Sequence, residues 1–111
     1  MSKVYIVCEP VSREGVAKVD FSPAMEYGEL EVLLSHSQSL LSPVPTIRKL
    51  RDKLENFGED DYILPVGDPV LMSTVAMVAA HMNHGRVKLL KWDRIQRKYL
   101  VIQVDISGVA L

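Results

Sequence analysis

The chain has 111 residues, of which 48% are hydrophobic and 24% charged, and its formal net charge is −1. These values fit one globular domain spanning residues 1–111 and exclude a globally disordered chain. A single cysteine, Cys8, excludes an internal disulfide framework and points to a reducing cytoplasm.

The N-terminal segment MSKVYIVCEP has too short an apolar run for a signal peptide. The longest apolar run, Val75 to Ala80, falls far short of the roughly 20 residues a membrane span needs. The charge is unevenly distributed: residues 1–85 are net acidic and residues 86–111 net basic.

Lys3 to Cys8 is β-branched and apolar, and Pro10 ends it, which predicts a strand. Residues 9–27 have no period and contain Pro10, Gly15 and Pro23, so they read as a long loop, with room for a short strand at Val16 to Val19. Gly28 to Ser35 alternates Leu30, Val32 and Leu34 against Glu29, Glu31 and Leu33, the pattern of a strand with one buried face. Serines and prolines make residues 35–45 a loop. Thr46 is then placed to cap a helix whose apolar side is Ile47, Leu50, Leu54 and Phe57, with Gly58 as a left-handed stop.

Tyr62 to Val66 is the next strand, and Gly67-Asp68-Pro69 turns the chain into a second helix, Val70 to Asn83. Asp68 suits the N-cap and Pro69 the first helical position. Gly85 stops this helix. It is apolar nearly all round, so it is expected to be central to the core or covered by a second copy; a homo-oligomer through helix 70–83 is the expectation. Arg86 to Asp93 and Lys98 to Ile106 form an antiparallel hairpin across Arg94-Ile95-Gln96-Arg97. Leu100, Ile102, Val104 and Ile106 give the last strand an apolar face. The order β-β-α-β-α-β-β defines an α/β fold with a mixed sheet of about five strands and two helices.

Four constellations could carry chemistry. First, the strand–turn–helix at Gly67, Asp68 and Val70 offers helix N–H groups beyond a strand end, where α/β proteins bind ligands. It lacks both the phosphate-binding GxxxxGK[ST] pattern and GxGxxG, and Asp68 would repel a phosphate, so capping explains it fully. Second, Cys8, Glu9, Ser35, His36 and Asp68 fall at strand ends. If the first three strands are parallel they share one edge, where a thiol, a base and a carboxylate could meet. No nucleophile elbow or family motif surrounds Cys8, and the reading leans away from an enzyme.

Third, His81 and His84 are three apart, but HMNH is not HExxH and no further ligand is suitably spaced, so no metal and no cofactor is expected. Fourth, the hairpin interleaves Arg86, Lys88, Lys91, Arg94, Arg97 and Lys98 with Trp92 and Tyr99. Lys88, Lys91, Trp92, Arg94 and Arg97 could hold single-stranded nucleic acid by charge and stacking. A solvated hairpin with lysine-protected edges is the ordinary outcome for such a run.

The stretches YGELEVLL, DYILPVGDPVLMSTVAMVAA and GRVKLLKWDRIQRKYLVIQVDI together resemble small uncharacterised proteins encoded by tailed bacteriophages, and the resemblance covers about Asp20 to Ile106. The resemblance is strongest at Gly67-Asp68-Pro69 and Leu90-Lys91-Trp92-Asp93-Arg94. It implies a phage product acting in the bacterial cytoplasm, or else a virion part. It carries no established activity, so no site residue is transferred.

Three functions are therefore in play. The leading one is a non-enzymatic accessory protein acting by protein–protein contact. The second is a small-molecule or nucleotide-binding protein, or an enzyme, with its site at the strand–turn–helix Gly67-Asp68-Pro69, where Gly67, Asp68 and Val70 are joined by Glu9 and His36. The third is nucleic-acid binding through the basic hairpin.

Overall fold

A computed structural model describes residues 2–9, 20–35 and 43–108. His36 and the short strand anticipated at Val16 to Val19 lie outside the described residues. Five strands and two helices follow the anticipated order: β1 (Lys3–Cys8), β2 (Glu29–Leu34), α1 (Pro43–Lys53), β3 (Tyr62–Leu64), α2 (Pro69–Met82), β4 (Arg86–Asp93) and β5 (Lys98–Asp105).

The strands form one sheet in the order β2-β1-β3-β4-β5. The first four run parallel and β5 is antiparallel, so the sheet is mixed. The chain steps from β1 outward to β2, then returns past β1 to β3 and β4. Right-handed crossovers therefore place the first connection on one face of the sheet and the next two on the other. The structure follows that rule. Both helices pack on one face, and a short 3-10 helix (Ser22–Glu26) lies on the opposite one.

Strand alternation splits the core accordingly. Tyr5, Val7, Leu33 and Ile63 meet Leu50, Leu54, Leu71, Val75 and Val78 on the helix side. Val4, Ile6, Leu64, Leu90 and Tyr99 meet Ala24 on the other. Asp61 pins the lower edge, its carboxylate accepting from the Lys3 and Gly58 backbone N–H groups, each at 2.9 Å.

Several boundaries differ from the sequence reading. Thr46 does not cap α1. The helix starts at Pro43, and Thr46 is buried inside it. Pro43 and Pro45 fit the first turn because N–H groups there have no intrahelical partner to lose. Gly58 does not take the left-handed backbone; among the described glycines, Gly67, Gly85 and Gly108 have positive φ. The chain leaves α1 through turns at Leu54 and Phe57, and the Gly58 N–H goes to Asp61 instead.

The strand read as having one buried face buries both Leu33 and Leu34 at its end, because α1 covers Leu33, while Val32 stays exposed. The supposed loop before it contains the 3-10 helix. There Asp20 accepts from the Ser22 N–H and hydroxyl, both at 2.9 Å, and Pro23 occupies the first turn.

Helix α2 is capped as anticipated. Asp68 Oδ1 accepts from the N–H groups of Val70 (2.7 Å) and Leu71 (3.3 Å). At the other end, after the C-cap Asn83, His84 (φ +56°) and Gly85 (φ +86°) turn left-handed and the Gly85 N–H reaches the Ala80 carbonyl at 2.7 Å, which ends the helix. The hairpin turn is also as read. Asp93 accepts from the Ile95 and Gln96 N–H groups, and Arg97 adopts φ +55°.

Candidate functional site

Parallel pairing of β1 with β2 and β3 brings the ends of all three strands to one edge of the sheet. The chain reverses its direction of travel between β1 and β3, and that crevice is where open α/β sheets characteristically bind ligands. Cys8 and Glu9 leave β1 there, Ser35 follows β2, and Gly67 and Asp68 follow β3. A Cβ placed on Gly67 would lie 2.8 Å from the Cys8 Cβ, so only glycine admits this close approach.

The chemistry of this edge is subdued. Cys8 is buried, and its thiol lies 3.3 Å from the Ser35 carbonyl oxygen, which can accept from it. Burial pushes its pKa up, and the charges of Asp68 and Glu9 push it the same way. A nucleophilic cysteine needs the opposite, an electropositive and partly open setting. Asp68 is engaged by Val70 and Leu71, the N–H groups an incoming anion would otherwise use. The Glu9 N–H is spent on the Leu34 carbonyl at 3.1 Å.

The basic hairpin does not form one surface. Alternation puts Lys88 and Trp92 on the face of the 3-10 helix and Lys91 on the face of α2. Lys88 sits over the Tyr62 ring at 5.0 Å, and Trp92 meets Tyr99 edge-on at 4.9 Å. Arg86 pairs with Glu59 at 3.0 Å. Arg94 and Arg97 occupy the exposed turn at the far end. Among the described residues, no group of three His, Cys, Asp or Glu side chains could hold a metal ion.

Two concavities were not legible in the sequence. An apolar groove of about 530 Å³ runs between α2 and the β4–β5 hairpin, lined by Met77, Ala80, Leu89, Val104 and Ile106, with His81 and His84 at its rim. A second cleft of about 380 Å³ opens on the opposite face, at the ends of β3 and β4. The sequence does carry a signal for the groove. Ile102, Val104 and Ile106 alternate as a buried face would, yet among the described residues no helix lies over them. For the second cleft the signal is Asp20-Phe21-Ser22-Pro23, a turn pattern in which Asp20 accepts from Ser22 and Phe21 packs against the sheet.

Residues 2–106 match the protein family described as Phage Pam3 gp32-like protein. The chain belongs to this phage family. The likeness to tailed-phage proteins seen at Asp20 to Ile106 agrees with the match, which extends it to the N-terminal strand. No match was found among curated proteins or among solved structures. No helix among the described residues is long and apolar enough to cross a membrane.

Proposed function

We propose that this phage protein is a non-enzymatic accessory that works in the host cytoplasm by protein–protein contact, starting with its own self-association. The observation that carries this reading is the groove beside α2. Met77 (65% exposed), Ile102 (42%), Val104 (36%) and Ile106 (76%) form one apolar surface running from α2 onto the sheet edge. Together they leave roughly 400 Å² of apolar surface in water, the size of a functional patch on a monomer.

The occupant that fits is a second copy. β5 is an edge strand, and from Tyr99 to Val104 it carries no charge to discourage pairing. The other edge, β2, carries Glu29 and Glu31. Antiparallel pairing of β5 with itself requires a twofold axis perpendicular to the sheet, which keeps both grooves on one side. In a register centred on Ile102, that residue faces its own copy and Leu100 faces the partner's Val104, an apolar ladder continuous with both grooves. A standard interface takes about 800 Å² from each partner; the strand pairing and the histidine rim extend the apolar patch towards that area.

Light scattering after size-exclusion chromatography tests the reading. The chain mass is 12.5 kDa. A species of twice that mass is expected, falling to the monomer in Ile102→Lys with an unchanged circular dichroism spectrum. A monomer at every concentration up to about 0.5 mM, far above the micromolar range of a weak specific complex, overturns self-association.

A further inference from the structure

The second cleft lies on the face opposite the groove and shares no lining residue with it. Leu64 and Leu90, both buried, line it together with the rings of Phe21, Trp92 and Tyr99. Trp92 is held edge-on against Tyr99 but stays 41% exposed, so part of its indole remains open to a ligand. Among the described residues lining the cleft, Asp20 is the charged one. Its two oxygens each accept one hydrogen bond from Ser22, which fixes the carboxylate and leaves further acceptor capacity. Those bonds hold its pKa below the ordinary carboxylate value, so it is ionised at neutral pH. Its charge also contributes, after burial, to raising the pKa of the Tyr99 hydroxyl, which places the two groups within electrostatic reach.

Aromatic walls and a fixed carboxylate, with no cation among the described lining residues, make a site for positive charge. A cation is drawn to the ring faces by their quadrupole and to the carboxylate by its charge. The Asp20 charge repels a phosphate or carboxylate ligand. The volume of about 380 Å³ suits a small ligand or the end of one long side chain. We propose that the cleft formed by Phe21, Trp92, Tyr99 and Asp20 binds an organic cation, either an alkylammonium or a guanidinium group.

Trp92 is the only tryptophan in the chain, so its fluorescence reports on this cleft alone. The full chain is titrated with choline, with methylguanidinium and with 3,3-dimethylbutanol, the uncharged isostere of choline, all at constant ionic strength. Saturable quenching by at least one cation is expected, with the isostere and the Asp20→Asn variant each weaker by about tenfold. Stronger quenching by choline assigns the cleft to small ammonium ligands, and stronger quenching by methylguanidinium assigns it to an arginine side chain. Equal binding of the isostere by the unaltered protein overturns the proposal without relying on any variant. So does the absence of saturation with both cations. The oligomer measurement reads a different face, so either idea can fail alone.

Discussion

The helix side of the sheet has two halves with opposite fates. Over β1 and β3, Tyr5, Val7 and Ile63 lie under α1 and α2 and are lost to solvent. Over β4 and β5, the same face carries Leu100, Ile102 and Val104, and among the described residues only the flank of α2 reaches it. Two helices are enough for the centre of a five-stranded sheet but not for its antiparallel edge. The apolar character of α2 thus has two explanations on one element. Leu71, Val75, Val78 and Ala79 serve the core, while Met77 and Ala80 face the groove. Burial is set by what covers a residue, and the pattern of the residue itself does not reveal it.

The largest effect should come from setting the two halves against each other. Leu50→Ala removes a fully buried side chain that α1 contributes to the core and is expected to cost about 2–5 kcal/mol in urea unfolding. Ile106→Ala in the open half should cost less than about 0.5 kcal/mol in the monomer. Equal losses would mean the groove is as well packed as the core.

A middle effect tests the strand-end crevice. Gly67→Ala forces a side chain onto φ +103° and into the Cys8 Cβ, at a cost of roughly 1–3 kcal/mol. Unchanged thermal stability would show that the ends of β1 and β3 yield easily. The smallest is Asp68→Ala, which removes the cap from α2 and should cost about 1 kcal/mol.

Much of the architecture was readable because local rules agreed with one another. Alternation gave the strands, and Asp68-Pro69 with Gly85 framed α2 almost to the residue. The start of α1 was missed because prolines at 43 and 45 look like loop residues, yet a helix tolerates them in its first turn. The 3-10 helix was missed because a single tight turn has too few residues to show a period.

The sites were less legible than the fold. That Cys8 touches Gly67 depends on β1 lying beside β3, a fact of strand order that no local pattern encodes. The face of β5 left bare depends on how far two helices reach. Trp92 and Tyr99 were visible as neighbours of a basic run, but not as walls of a cleft whose charge is Asp20.

The contact between Cys8 and Gly67 also gives the protein a built-in stopwatch. The chain has one thiol, and it is sealed where β1 and β3 end. An alkylating reagent must wait for that seam to part. Its rate of labelling therefore times how often the seam opens locally, apart from global unfolding.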